Sequence, residues 1–133
     1  MTIQLDLEGK VALVTGSGRG LGMHYAKYLA NMGADVIIHD IRSEAAAEFG
    51  EAKSGEDVAG QIRALGRRSA FVAGDLTIPS EARRVVEEAI AAFGKLDIVV
   101  NNAGGDIGAR TPRPNPNDAI DIDVDDIQAV VNR

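Results

Sequence analysis

The 133-residue sequence contains no cysteine, which excludes disulfide bonds, thiolate metal sites and cysteine nucleophiles. Aromatic residues make up only 4% of the chain, so its core has to be built from Val, Ile, Leu and Ala. Such a core, combined with 15 glycines, favours buried parallel strands alternating with helices over an aromatic-rich β-sandwich. A single domain of this length buries roughly two-thirds of the surface that its unfolded chain exposes.

Basic residues are also few, because 14 Lys and Arg stand against 20 Asp and Glu, giving a net charge of -6. No stretch gathers the basic residues into a stripe, which argues against nucleic-acid binding. No apolar run approaches the roughly 18 residues that a membrane-spanning helix needs, and residues 1–10 lack the apolar core of a signal peptide. We therefore expect a cytoplasmic protein with neither a nucleic-acid nor a membrane partner.

Short apolar runs alternate with helical patterns along the chain. The runs predicted to form buried strands are residues 11–14, 36–38, 70–73 and 96–100. The apolar faces predicted for the helices between them are Leu21, Tyr25, Tyr28, Leu29 and Met32, then Val58, Ile62 and Leu65, then Val85, Val86, Ala89, Ile90 and Phe93. Strand–helix–strand units of this length imply parallel strands with right-handed crossovers. The predicted fold class is α/β, a doubly wound parallel sheet of four strands in one domain of residues 1–133.

Two segments have no clear apolar stripe. Residues 41–55 are predicted to be a loop containing one helical turn, and no chemistry is assigned to them. Residues 106–133 are predicted to form a loop and the start of a further helix. Three of the four prolines lie within residues 111–117, which excludes regular structure there, and the helix is expected to begin near Asp123 or Asp125.

The most informative segment is residues 15–22, Thr-Gly-Ser-Gly-Arg-Gly-Leu-Gly, between the first predicted strand and helix. A dinucleotide pyrophosphate needs close backbone approach, a tight turn and free N–H groups at a helix N-terminus. The segment does not match G-x-G-x-x-G, because counting from Gly16 places Leu21 in the last position. Clustered glycines alone are equally compatible with a merely flexible turn. Their place after a strand and 24 residues before Asp40 favours dinucleotide binding.

The pattern Thr-Gly-x-x-x-Gly-x-Gly is met by Thr15, Gly16, Gly20 and Gly22, and it resembles the glycine turn of the short-chain dehydrogenase/reductase family. Further signals follow in the family's order. They are Asp40 after the second strand, Asp-Leu-Thr at residues 75–77 and Asn-Asn-Ala-Gly at residues 101–104. The resemblance covers residues 8–105 and extends more loosely to residue 133. It implies a Rossmann-like fold whose C-terminal part is absent from this chain.

The resemblance implies an oxidoreductase that transfers a hydride between a nicotinamide and an alcohol or carbonyl substrate. It places the pyrophosphate and adjoining ribose on the glycine turn, the adenosine ribose on Asp40, and the adenine amino group on Asp75. It also implies that residues 102–104 line the cofactor near its ribose and that Asn101 and Asn102 tie the fourth strand to its neighbours, the structural role being the main one for Asn101. The implied cofactor-binding residues are Gly16, Ser17, Gly18, Arg19, Gly20, Leu21, Gly22, Asp40, Ile41, Asp75, Leu76, Asn102, Ala103 and Gly104. We expect NAD over NADP, because Asp40 would repel a 2′-phosphate, although Arg19 and Arg42 oppose this preference.

The family's catalytic serine and Tyr-x-x-x-Lys pair lie beyond Asn-Asn-Ala-Gly. Neither Tyr25 nor Tyr28 is followed by a lysine four residues later, and no Ser, Tyr, Lys or His follows Gly105. No catalytic residue is therefore assigned, and the chain is expected to be the cofactor-binding half of a longer protein, homo-oligomeric when complete. Residues 96–100 would then form an exposed apolar sheet edge.

Other functions remain as alternatives. The chain could be a non-catalytic nucleotide-binding module or fragment, and an adenosylmethionine-dependent methyltransferase shares the glycine loop, although Asn-Asn-Ala-Gly argues against it. His24 and His39 have no second residue at a ligand spacing, so no metal site is predicted. Residues 121–125 resemble the start of a calcium loop, but Asp126 replaces the required glycine and Asn132 the required glutamate.

Overall fold

The computed structural model describes residues 5–48, 50–104 and 121–131. The strands are β1 (Val11–Val14), β2 (Asp35–Asp40), β3 (Ser69–Ala73) and β4 (Ile98–Val100). The helices are α1 (Gly20–Asn31), α2 (Gly55–Ala64), α3 (Pro79–Phe93) and α4 (Val124–Val131), with a 3₁₀ helix at Ser43–Ala47. The predicted alternation of strands and helices is confirmed, as are the single helical turn within residues 41–55 and the start of α4. The predicted proline-rich loop, residues 111–117, lies outside the described residues.

The four strands form one parallel sheet in the order β3-β2-β1-β4. Val14 at the end of β1 pairs with Ile38 of β2 and with Val100 of β4. The carboxyl ends of these strands therefore lie at one edge of the sheet. The segment that follows β1 contacts the end of β2 on one side and the segment after β4 on the other, at the edge where open α/β sheets bind ligands.

Helices cover both faces of the sheet, which confirms the doubly wound α/β fold. Successive residues of β2 alternate between the two sides, because Val36 and Ile38 belong to one buried cluster and Ile37 to the other. The first cluster includes Ile62 of α2 together with residues of α1. The second includes Val85 of α3.

The predicted apolar face of α1 is wrong in part. Leu21 and Tyr28 are 67% and 69% exposed, and Tyr25 is also exposed. The residues that α1 buries are Gly22, Met23, Ala26 and Ala30. Three of these are glycine or alanine, so the helix backbone can approach the sheet closely, and the larger side chains lie on the opposite surface.

The apolar face of α3 is also narrower than predicted. Val85 and Ala89 are buried, whereas Val86 and Ile90 are each 41% exposed. The buried residues of α3 pack in one cluster with residues of β1, β2 and β3, namely Val11, Leu13, Ile37 and Val72. The apolar stripe of the helix is therefore wider than the surface of the sheet that it covers.

Among the residues that the structure describes, strand β4 forms the sheet edge that the sequence predicted, and Val99 is 49% exposed. The strand is shorter than predicted because Asp97 adopts a different role. Its backbone N–H donates to the Val11 carbonyl at 2.9 Å, and its carboxylate accepts from the Val11 N–H at 2.9 Å. The Asp97 side chain thus takes the Val11 N–H that a backbone carbonyl would otherwise accept, and regular strand pairing begins only at Ile98. Within the part of the chain that the structure describes, no helix has the length and apolarity needed to cross a membrane.

Candidate functional site

The glycine turn after β1 is fastened to the sheet by Ser17. This residue is fully buried, and its hydroxyl donates to the Val14 carbonyl at 2.7 Å while accepting from the His39 N–H at 3.0 Å. Its own N–H donates to the His39 carbonyl at 2.7 Å. The Ser17 side chain therefore points into the protein. In this conformation it would affect a ligand only by fixing the shape of the turn. Its predicted contact with a cofactor stays a prediction.

His39 joins the glycine turn to the segment after β3. Its ring is buried, with Nδ1 accepting from the Gly16 N–H at 3.1 Å and Nε2 lying 3.0 Å from the Gly74 carbonyl oxygen. These two contacts require the neutral tautomer that carries its proton on Nε2. Burial lowers the pKa of His39 below the ordinary 6.5, although the Gly74 carbonyl and the Asp40 carboxylate favour the protonated form. At neutral pH the ring is an uncharged link between two loops.

The Asn-Asn-Ala-Gly segment is bonded to the same turn. The Asn102 N–H donates to Thr15 Oγ1 at 3.0 Å, and Asn102 Nδ2 donates to the carbonyls of Thr15 and Gly16 at 3.0 and 3.3 Å. Thr15 Oγ1 in turn donates to the Val100 carbonyl at 3.3 Å. Of the two asparagines, Asn102 ties β4 to the turn, whereas the side chain of Asn101 is exposed. Two motifs far apart in sequence therefore form one hydrogen-bonded unit.

Two glycines of the turn are required by close contacts. A Cβ added at Gly18 would lie 2.7 Å from Asp40 Oδ2. One added at Gly22 would lie 2.5 Å from both Asn102 Nδ2 and the Gly16 carbonyl oxygen. Distances of this size are far below ordinary van der Waals contact. The absence of side chains at these positions thus lets the turn, the end of β2 and Asn102 pack together.

Asp40 ends β2 beside the turn. Its Oδ1 accepts from the Ile41 N–H at 2.9 Å, and its backbone carbonyl accepts from the Gly74 N–H at 3.1 Å. The carboxylate is half-buried against Gly18, and Ile41 is 45% exposed. The structure therefore brings an acidic side chain to the glycine turn, as the spacing of 24 residues predicts.

Two glutamates that the sequence analysis missed lie at the outer end of the turn. Glu48 Oε2 forms an ion pair with Arg19 Nη1 at 2.7 Å, and Glu51 Oε2 accepts from the Gly20 N–H at 3.0 Å. Gly20 has a φ of +57° at the start of α1, where a helix presents N–H groups and positive charge to anions. Glu51 thus occupies an anion-binding position. No sequence motif marks either glutamate, because each contact spans about thirty residues.

Asp75 lies after β3 and shapes the start of α3. Its Oδ1 accepts from the Thr77 hydroxyl at 2.7 Å and from the Thr77 N–H at 2.9 Å, and these bonds, the hydroxyl's first, lower the pKa of Asp75. Its N–H donates to Glu81 Oε2 at 2.8 Å. Asp75 is therefore ionised at neutral pH. Leu76 is half-buried against the core beneath α3.

Besides Ile41, three further predicted site residues are exposed. Leu21 begins the outer surface of α1, and Ala103 and Gly104 directly follow Asn102. Their contacts with a cofactor remain predictions. Within the described residues no group of three or more His, Asp or Glu side chains has the arrangement of a metal site.

Comparisons with known proteins agree with this geometry. Residues 10–133 match the family model described as short chain dehydrogenase. A cyclohexanol dehydrogenase of Rhodococcus sp. (strain TK6) is 38% identical over 100% of this chain and 49% of its own length. An uncharacterized oxidoreductase of Mycobacterium tuberculosis is 48% identical over 99 residues, which are 74% of this chain and 34% of that protein. The chain thus spans between about a third and a half of the length of these curated relatives.

Solved structures give the same result. A short chain dehydrogenase from Burkholderia cenocepacia in complex with NADP is 40% identical, with a TM-score of 0.72 over 95% of this chain and 45% of that one. A 7α-hydroxysteroid dehydrogenase complexed with NADH and 7-oxo glycochenodeoxycholic acid is 32% identical, with a TM-score of 0.73 over 97% of this chain and 44% of that one. The Rossmann-like sheet, the glycine turn and the family match together show that this chain belongs to the short-chain dehydrogenase/reductase family.

Proposed function

We propose that this chain binds NAD as the cofactor-binding half of an oxidoreductase that transfers a hydride between the nicotinamide and an alcohol or carbonyl substrate. The observation that carries this proposal is the convergence of three segments at one sheet edge. There Gly18 packs against Asp40, and Gly22 packs against Asn102, without intervening side chains. The result is a backbone-lined turn at a helix N-terminus, which suits a pyrophosphate.

The chemistry of the relatives supports the substrate class. One relative is a cyclohexanol dehydrogenase, and one structural neighbour is a hydroxysteroid dehydrogenase complexed with NADH and an oxo compound. Bound NAD would supply the hydride acceptor, while this chain's residues would hold its phosphates and ribose in a fixed orientation. Such orientation is a major part of the catalytic advantage when two reactants must meet.

We predict that the protein binds NAD more tightly than NADP, because the Asp40 carboxylate faces the place proposed for the adenosine ribose. A unit negative charge of a 2′-phosphate about 4 Å from Asp40 would cost about 1 to 4 kcal/mol, depending on solvent screening. Replacing Asp40 by Asn should weaken NAD binding and reduce the preference. Titration calorimetry with both dinucleotides measures the ratio. Asp35→Asn, at the opposite end of β2, is the matched control and should leave the ratio unchanged.

A purely nucleotide-binding module is the second candidate, because the chain has no Tyr-x-x-x-Lys sequence. We predict that a polypeptide of these 133 residues turns over no secondary alcohol with NAD, whereas the complete gene product does. A positioned acid or base contributes on the order of a hundred- to ten-thousand-fold to such reactions. Turnover by the complete protein would show that it is an enzyme rather than a purely nucleotide-binding module. Equal turnover by the 133 residues would show that the acid or base lies within them.

A further inference from the structure

We propose that Glu48 is a cofactor-specificity residue, which holds Arg19 in an ion pair and so denies that cation to a 2′-phosphate. The inference rests on the proposed binding of NAD and extends it. Arg19 and Glu48 lie 2.7 Å apart, with 19% of the Arg19 side chain exposed. This cation is therefore largely shielded from solvent.

The position of Arg19 makes its charge relevant to cofactor choice. It directly follows Gly18, where an added Cβ would lie 2.7 Å from Asp40 Oδ2. A guanidinium on the residue after Gly18 is carried by the same turn that adjoins the place proposed for the adenosine ribose, and its forked donors match phosphate oxygens well. In this structure one of those donors, Nη1, is bound to Glu48. Because Glu48 neutralises the charge of Arg19, the repulsion between Asp40 and a 2′-phosphate is not offset by that cation.

The fold places Glu48 at this position. It immediately follows the 3₁₀ helix Ser43–Ala47, in which Ala45 and Ala46 are buried. Its N–H donates to the Ala45 carbonyl at 3.2 Å. Because the backbone at Glu48 is tied to a packed element, less conformational entropy is lost on pairing than between two unconstrained surface side chains.

Glu51 provides an internal comparison. Its carboxylate accepts from the Gly20 N–H, a backbone group at the N-terminus of α1. Both dinucleotides carry a pyrophosphate, so Glu51 should act on both to the same degree. Glu48, by contrast, holds a side chain that distinguishes them through the 2′-phosphate. The two glutamates therefore predict different patterns of affinity.

The test compares Glu48→Gln, Glu51→Gln and Glu44→Gln, each measured by calorimetric titration with NAD and with NADP. Glu48→Gln should raise NADP affinity about tenfold, because Arg19 gains a charge-assisted bond to phosphate, and should change NAD affinity less than about twofold. Glu51→Gln should change both affinities by the same factor. Glu44 is exposed in the 3₁₀ helix that precedes Glu48. Glu44→Gln removes the same charge and is the matched control, which should leave the ratio of NAD to NADP affinity unchanged.

A double variant separates pairing from general electrostatics. Adding Arg19→Gln to Glu48→Gln should remove the gain in NADP affinity, since no cation is then released. The proposal is overturned if Glu48→Gln leaves the ratio unchanged, if Glu51→Gln shifts it equally, or if the gain survives without Arg19. A wild-type protein that binds neither dinucleotide overturns the proposed function as well. A wild type that binds NAD, with no effect of Glu48→Gln, overturns the role of Glu48 alone.

Discussion

Replacing Gly22 by alanine is expected to weaken NAD binding by about a hundredfold. The new methyl group would lie 2.5 Å from Asn102 Nδ2 and from the Gly16 carbonyl oxygen, so one or both must move. Overpacking of this kind typically costs 1 to 3 kcal/mol, and each displaced hydrogen bond of Asn102 about 1 kcal/mol more. Because binding requires the turn geometry of the unsubstituted protein, restoring that geometry would take a total near 3 kcal/mol from the binding free energy, which corresponds to about a hundredfold in affinity. Titration calorimetry measures the loss.

Gly60→Ala is the matched control, because Gly60 lies within α2 and the nearest atom to an added Cβ is Arg63 Nη2 at 3.8 Å. Alanine favours a helix interior by up to about 1 kcal/mol over glycine, so this variant should bind NAD normally and unfold at slightly higher temperature. Wild-type affinity in Gly22→Ala would mean that the contact with Asn102 does not shape the turn.

The second large effect is expected at His39. His39→Leu removes the acceptor of the Gly16 N–H and the donor to the Gly74 carbonyl, and leaves both backbone groups without these partners. Each unsatisfied buried group costs about 1 to 3 kcal/mol, so the loss of both bonds should lower the free energy of unfolding by about 2 to 6 kcal/mol. Urea unfolding measures this. His24→Leu, on the exposed surface of α1, should change it by less than about 0.5 kcal/mol.

The same residue predicts how stability depends on pH. Because the pKa of His39 is lower in the folded protein than its ordinary 6.5, the unfolded chain takes up the proton first as the pH falls. Stability should therefore be complete above pH 6.5 and decline below it, by up to about 1.4 kcal/mol per pH unit, until the folded pKa is passed. This component of the slope should be absent in His39→Leu.

The carboxylates affect stability in a lower pH range than His39 does, so the two effects can be measured separately. The pKa values of Asp35, Asp75 and Asp97 lie below their ordinary 3.8, so stability linked to them is present above that pH and is lost in stronger acid. A wild-type protein whose stability is flat between pH 6.5 and about 5 would contradict a neutral, buried His39.

The sequence predicted the sheet well because each strand is a short apolar run bounded by glycine or a charged residue. It was less successful with the helix surfaces, since periodicity shows which residues share a face but not which face is buried. In α1 both sides carry apolar residues, and the side that packs is the one with Ala26 and Ala30 rather than with Tyr28. Close packing on the sheet, a tertiary property, decided between them.

The sequence predicted those parts of the candidate site that belong to recognisable motifs. Asp40, Asn102 and the glycine turn do meet, because parallel strands bring their carboxyl ends to one edge. The contacts of His39, Glu48 and Glu51 could not be predicted, since their partners lie 22 or more residues away and belong to no recognisable spacing. The segment judged to have no chemistry supplies both glutamates.

The bonds between Asp97 and Val11 have a consequence at the far end of the sheet. They fix the alignment of β4 against β1, so that Val100 stands opposite Val14 and Asn102 reaches Thr15. A strand advances about 3.3 Å per residue, so a slip of one position would carry Asn102 beyond hydrogen-bonding reach and turn its side chain to the other side. The Asp97 carboxylate, at the amino end of β4, thereby sets the position of Asn102 in the proposed dinucleotide site at the carboxyl end of the same strand.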